Sequence, residues 1–173
     1  MARTVREVTE AFELLFRSFH DRAFRKSLDF HCMGERQLLP VVRTFLLGYF
    51  GHDLNAESVC TLPGCLSGRG RLDFLIGNVA VEFAVRKPTA RKSSLSASVN
   101  ASEAKKLMTH QGLGLLVLFD FSRTPYTRAQ LDAFRNWPSL GQGNHDKSAF
   151  NLAYFHLGPD REVACHRLNI RVH

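Results

Sequence analysis

Two acidic side chains stand in neighbouring strand-like runs of the segment GRGRLDFLIGNVAVEFAVRK, residues 68 to 87. Between the runs, Gly77 and Asn78 both tolerate positive φ, so we expect them to form a two-residue hairpin turn. That turn sets Asp73 directly opposite Glu82. Like charges at such positions lie about 5 Å apart at Cβ and repel each other, so the pair needs a compensating cation.

The same register divides the hairpin into two faces. One face is wholly apolar and is expected to pack on the core; its cross-strand pairs are Ile76 with Val79, Phe74 with Val81, and Leu72 with Phe83. The pairs of the other face are Leu75 with Ala80, Asp73 with Glu82, and Arg71 with Ala84. Among these pairs, Arg71 is the cation that shares a face with Asp73 and Glu82.

Two kinds of cation can compensate the acidic pair. Mg²⁺ or Mn²⁺ takes oxygen ligands from one or two carboxylates and completes its shell with water and phosphate oxygens. Alternatively, the face is a solvent-exposed surface on which Asp73 pairs with Arg71 and Glu82 pairs with Arg86. Both alternatives are compatible with the hairpin.

With its flanking segments, the acidic hairpin resembles the PD-(D/E)XK nuclease superfamily. The resemblance consists of Gly34-Glu35 opening a helix, then Asp73, the turn, Glu82, and a following helix and strand. Within that superfamily, the stretches MGERQLL, RLDFLIGNVAVEFAVRK and GLGLLVLFDFS are similar to the small GxxExxY-type subgroup. The similarity implies a restriction-endonuclease-like αβββαβ core and Mg²⁺- or Mn²⁺-dependent cleavage of phosphodiester bonds.

Carried over residue by residue, the resemblance implies three acidic roles. Asp73 would be the central metal ligand and Glu82 the second ligand. Glu35, at the start of its helix, would orient the attacking water. A glutamate at that position is also favoured simply by the helix macrodipole, so its residue type alone does not require a catalytic role.

The sequence departs from the family pattern at Ala84, where the family has a lysine. That lysine would stabilise negative charge developing on the phosphoryl group. Cations that could replace it are Arg86, Lys105, Lys106 and, nearest across the strand pair and therefore favoured, Arg71. The alternative is a catalytically inactive relative that acts as a nucleic-acid-binding or protein-interaction module. A structural subunit with an incidental charge surplus is a further alternative.

The charge balance favours a polyanionic partner. Lys and Arg outnumber Asp and Glu by 23 to 16, a net charge of +7, and such a surplus favours nucleic acid because phosphate neutralisation releases counterions. We expect DNA rather than RNA, and a homodimer is one arrangement for cutting two strands. The expected phosphate-contacting residues are Arg86, Lys87, Arg91, Lys92, Lys105 and Lys106.

Apolar periodicity predicts the elements that position these residues. The expected order is an amphipathic helix over 4 to 28, a helix over 35 to 49, three strands up to 86, a short helix opened by the capping-box-like spacing of Asn100 and Glu103 and running through 110, a buried strand over 113 to 121, a helix from 124 to 137, and two final strands. This order predicts an α/β fold with a mixed sheet flanked by helices.

The 173 residues fit one domain, with an N-terminal helix (1–30), a nuclease-like core (31–122) and a C-terminal helix and strands (123–173). No apolar run reaches 18 residues, which argues against a membrane-spanning segment. The N-terminus lacks the apolar stretch of a secretory signal, and four cysteines without a CxxC pair read as free thiols. A cytoplasmic protein is therefore expected.

Overall fold

The computed structural model describes residues 2–61, 69–88, 101–133, 136–137 and 149–172. These residues form an α/β fold with a mixed sheet flanked by helices, which confirms the predicted fold class. The helices are Val5–His20 (α1), Arg22–Ser27 (α2), Glu35–Phe50 (α3), Ala101–Thr109 (α4) and Arg128–Ala133 (α5). None of the helices in the described part of the chain is both long and apolar enough to cross a membrane.

The strands belong to a large sheet and a separate hairpin. They are Leu54–Ala56 (β1), Val59–Thr61 (β2), Arg69–Arg71 (β3), Phe74–Ile76 (β4), Val79–Arg86 (β5), Leu113–Asp120 (β6), Asn136–Trp137 (β7), Phe150–Leu157 (β8) and Val163–Val172 (β9). The large sheet has the order β1-β4-β5-β6-β8-β9-β7, and β2 pairs only with β3. Strands β1, β4 and β5 are antiparallel neighbours, whereas β5, β6 and β8 run parallel.

The predicted helix, three strands, helix and strand are present as α3, β1, β4, β5, α4 and β6. The first of the three strands is not where the sequence placed it. The run ESVCTL contributes β2 to the small hairpin, and the short strand β1, Leu54–Ala56, pairs with β4 instead. With only three residues, β1 carries too little alternation to be recognised as a strand.

The predicted N-terminal helix over residues 4 to 28 is two helices. Helix α1 begins in a capping box in which Thr4 and Glu7 bond each other's backbone N–H groups. The chain becomes extended at Asp21, whose carboxylate accepts hydrogen bonds from the first N–H groups of α2. Aspartate is a preferred N-cap residue, so Asp21 begins a second helix where the apolar pattern alone indicates one continuous helix. The predicted core phenylalanines of α1, including Phe12 and Phe16, are buried.

Helix α3 runs without interruption past Pro40 and ends at Phe50, one residue beyond the predicted end, with Gly51 as its C-cap. Gly51 has φ 58°, a conformation that favours glycine. The helix predicted from Thr124 to Trp137 is shorter: α5 begins after Thr127, whose hydroxyl accepts a bond from the Gln130 N–H. Trp137 lies in strand β7, which pairs with β9. Phe134, which the predicted helix includes, lies outside the described residues.

Both faces of the sheet are buried. Helices α1 and α3 cover one face through a phenylalanine-rich core that includes the apolar hairpin residues Phe74, Ile76, Val79, Val81 and Phe83. Helices α4 and α5 cover the other face, where Leu116, Leu118 and Tyr154 pack. The face that carries the acidic residues is therefore not a solvated surface, because α4 lies over it.

Candidate functional site

The β4–β5 hairpin has the predicted turn and register over its first three pairs, Ile76 with Val79, Leu75 with Ala80, and Phe74 with Val81. The ladder ends there. Asp73 is not a strand residue opposite Glu82; its Oδ2 instead accepts a 2.8 Å hydrogen bond from the Phe83 N–H. The carboxylate thus takes the place of a strand carbonyl and is fixed against β5.

The run GRLDFLI serves two hairpins, which corrects the predicted positions of Leu72 and Arg71. Arg71 pairs with Val59 in the small hairpin, and its exposed guanidinium lies 2.8 Å from Glu57. It is therefore not opposite Ala84, and the expected Asp73–Arg71 salt bridge is wrong. Leu72 packs on the α4 face of the sheet, not on the phenylalanine face opposite Phe83.

Glu82 receives its cation from helix α4. Its side chain is 1% exposed, and the Lys106 ammonium lies 2.8 Å from Oε2. Small residues on either side of Glu82, Ala80 and Ala84, are buried under the helix and let it approach β5 closely. Ala84 is 6% exposed, so this position is filled by helix packing. Lys106, one of the four cations proposed to replace the family lysine, therefore contacts Glu82. Arg71 and Arg86 pair with acids outside the Asp73–Glu82 pair.

Glu35 is electrostatically coupled to the same cluster. Burial first, and then the charges of Asp73 and Glu103, raise the pKa of Glu35 to about 7. Burial first, and then Asp73, raises the pKa of Glu82 to about 8. Burial also raises the pKa of Asp73, although the Phe83 hydrogen bond and Lys106 oppose that shift. The structure therefore brings all three predicted acids together.

Lys106 remains charged in this setting. Burial disfavours its ammonium, but the hydrogen bond to Glu82 and the surrounding carboxylates outweigh burial and raise the pKa of Lys106. Glu103, one turn earlier on α4, is a cluster member that the sequence reasoning missed. Its spacing of three residues from Lys106 places both on one helix face, which is the signal that could have identified it.

The residues fit a hard divalent cation. Glu82 Oε1 and Glu103 Oε2 are buried, and neither has a hydrogen-bond partner within the described ranges. An unpaired buried carboxylate oxygen is costly, and a cation is a suitable partner for it. In the part of the chain that the structure describes, no three His, Cys, Asp or Glu side chains are arranged to hold an ion by themselves. A cation would take its remaining ligands from water and substrate.

Arg86 lies outside this cluster, which corrects its predicted pairing with Glu82. Its buried guanidinium donates to Asp120 at 2.9 Å and to the Thr124 carbonyl at 2.7 Å, and it stacks 4.3 Å over Tyr126. Asp120, the last residue of β6, is 2% exposed. Because these contacts occupy the Arg86 guanidinium, the structure argues against the predicted phosphate contact.

The other predicted phosphate-contacting residues have different positions. Lys87 is exposed, and its ammonium lies next to Gly34 at the start of α3. A methyl group added to Gly34 would be 2.9 Å from the Lys87 Nζ. Lys105 is half-buried on α4. Arg91 and Lys92 lie outside the described residues.

No protein-family model matches the chain, and comparison with curated proteins and with solved structures found no match. The interpretation of the site therefore depends on its own residues and geometry.

Proposed function

We propose that the protein is a metal-dependent nuclease that hydrolyses phosphodiester bonds, with a site like that of the PD-(D/E)XK nucleases. The observation that carries the proposal is the 2.8 Å contact between Lys106 and Glu82 beside the Asp73 carboxylate. The site thus combines buried acids with an ammonium from α4, although Ala84 occupies the position of the family lysine.

Each side chain has a distinct role in this proposal. Asp73 and Glu82 would hold Mg²⁺ or Mn²⁺, which would lower the pKa of water and neutralise phosphate charge. Lys106 would stabilise the negative charge that grows on the phosphoryl oxygens during attack. Glu35 would orient the attacking water and accept its proton, a task suited to a carboxyl group whose pKa is about 7.

The proposed substrate is nucleic acid, with DNA ahead of RNA. The net charge of +7 supports a polyanionic substrate. A homodimer would supply two sites if both strands of a duplex are cut. The free thiols of Cys32 and Cys165 support a cytoplasmic location, where the reducing environment disfavours disulfides.

Cleavage of labelled DNA and RNA in Mg²⁺ or Mn²⁺ tests the proposal, together with calorimetric titration of Mn²⁺. We expect Asp73→Asn and Glu82→Gln to abolish both cleavage and Mn²⁺ binding. Glu10→Gln is the matched control, because Glu10 is an exposed acid paired with Arg6 on α1. Absence of metal-dependent cleavage by the wild type would contradict the proposal.

An inactive binding module is the second candidate. Ala84 favours it, because strand β5 lacks a cation at the position where the family pattern has a lysine. Salt-dependent binding of nucleic acid without cleavage would support this function over the nuclease. Cleavage that requires Asp73 and Glu82 would exclude it.

A further inference from the structure

A groove of about 410 Å³ runs along helix α3 and reaches the candidate site. Asp73 lies in its wall, next to Phe74 of β4. The other wall is α3, which contributes Arg36 and Arg43. A ligand bound in this α3 groove would therefore touch the carboxylate that we propose as the central metal ligand.

The two arginines give the α3 groove its charge. Both are exposed, and neither forms an ion pair with another residue in the described ranges. The acid on the opposite rim, Glu57, is neutralised by Arg71 at 2.8 Å. Away from Asp73, the described lining is therefore net positive.

The spacing of the arginines suits a nucleic-acid strand. Arg36 and Arg43 are seven residues apart on one helix, about 10 Å along its axis. One strand of a DNA duplex advances about 3.4 Å along the helix axis per nucleotide, so this distance corresponds to about three nucleotides of such a strand. Leu39 and Pro40 line the groove between the arginines and offer an apolar surface to the sugars.

We infer that the α3 groove holds the sugar–phosphate backbone of a nucleic-acid strand beside the candidate site, with Arg36 and Arg43 contacting its phosphates. The inference rests on the proposed function for its placement at Asp73, but binding in the groove is measurable without cleavage. Phosphate contacts of this kind position a strand and do not read its sequence.

The test is fluorescence anisotropy with a short labelled single-stranded oligodeoxynucleotide over a series of KCl concentrations. EDTA removes divalent cations, so that the strand stays intact. The double variant Arg36→Gln/Arg43→Gln should lower affinity about tenfold and reduce the slope of log K against log[salt] by about 1.4, at about 0.7 per phosphate contact. Circular dichroism melting checks that this variant folds.

The matched control is Arg22→Gln/Arg25→Gln, which removes the same charge from exposed arginines of α2 that line a different cavity. It should change the affinity and the slope much less. Equal losses from both double variants would show diffuse attraction to a basic surface and would overturn the inference, as would no loss from either or no binding by the wild type.

Cleavage assays on the same proteins distinguish failure of the proposed strand binding in the α3 groove from failure of the proposed nuclease activity. Binding that depends on Arg36 and Arg43 without any cleavage by the wild type keeps the groove and refutes the nuclease. Metal-dependent cleavage with unaltered binding by the Arg36→Gln/Arg43→Gln variant keeps the nuclease and refutes the groove.

Discussion

Lys106 and Glu82 form an ion pair from which water is largely excluded, since their side chains are 16% and 1% exposed. Such a pair recovers little net free energy, because desolvation offsets the attraction between the charges. At this position the ion pair holds the Lys106 ammonium beside buried carboxylates. We therefore expect substitution of Lys106 to affect chemistry more than folding.

Under the proposed nuclease function, Lys106→Met should reduce the rate constant for cleavage by about 10²- to 10³-fold, the usual cost of removing one donor to a developing anion. Stability at pH 7 should change little, because burial and Asp73 already raise the pKa of Glu82 against the opposing effect of Lys106, and loss of the ammonium raises it further, so the buried carboxyl is neutral in the variant. Single-turnover cleavage and urea unfolding check the two parts. Lys26→Met, at an exposed residue of α2, is the control, and an equal loss of activity in it would contradict the specific role of Lys106.

His20 provides a test of stability against pH. Both of its ring nitrogens are buried without a hydrogen-bond partner in the described ranges, and its ring packs against those of Phe16 and His31. Burial first, and then the charges of His31 and Arg25, lower the pKa of His20 to about 3. Between about pH 6.5 and pH 3 the unfolded chain therefore binds more protons at this residue than the folded chain.

The free energy of unfolding should consequently fall as pH drops through this window and be largest above it. His20→Phe should weaken that dependence and raise stability at pH 7 by about 1 kcal/mol, since it removes unpaired buried polar atoms. Urea unfolding at several pH values measures both effects. His52→Gln, at a histidine whose side chain is 95% exposed, is the control substitution. Parallel pH profiles for the wild type and His20→Phe would contradict the assignment.

At the scale of elements, alternation and turn chemistry predicted the β4–β5 hairpin with the register of its first three pairs. Helix-start signals predicted the two helices: Gly34 before α3, and the capping-box-like spacing of Asn100 and Glu103 at the start of α4. The same alternation predicted the wrong positions for Leu72 and Asp73, because it assumed one unbroken strand. Residues up to Arg71 pair with β2, whereas residues from Phe74 onward pair with β5. This error placed Arg71 in the site. The acids could be found from residue types along β4 and β5, whereas the position of Lys106 depends on how α4 packs over Ala80 and Ala84.

The end of α3 offers a matched pair of glycines. Gly51 has φ 58°, so Gly51→Ala should lower the free energy of unfolding by about 1–3 kcal/mol. Gly48 is helical, and a methyl group there meets nothing within 4 Å. Gly48→Ala should therefore raise stability by about 0.5–1 kcal/mol. Urea denaturation of both variants tests the assignment, and a loss of stability in both would mean that α3 ends elsewhere.

At the scale of the whole molecule, a buried polar network joins the three parallel strands β5, β6 and β8. Arg86 ends β5, Asp120 ends β6, and Tyr154 of β8 donates its hydroxyl to Asp120 at 2.6 Å. The segment that leads to α5 is tied in through the Thr124 carbonyl and Tyr126. The network therefore fixes the C-terminal part of the fold to the sheet that carries the candidate site.

Breaking this network should cost more stability than breaking a surface pair. Arg86→Met leaves Asp120 buried without its cation and should lower the free energy of unfolding by about 3–5 kcal/mol. The double variant Arg86→Met/Asp120→Asn should lose less than the sum of the two single variants. The exposed Arg6–Glu10 pair is the control, because solvent screens the two charges and Arg6→Met should leave stability almost unchanged. Strictly additive losses in the urea-unfolding cycle would contradict coupling.

The cation and the carboxylates of the candidate site belong to different elements, since Lys106 comes from α4 and Glu82 from β5. Helix α4 has nine residues, and Leu107 and Met108 anchor it to the sheet. Short helices of this kind can detach by local unfolding at a lower free energy than the whole fold. We therefore expect heat inactivation to precede melting of the sheet, and activity to return on cooling as long as the sheet stays folded.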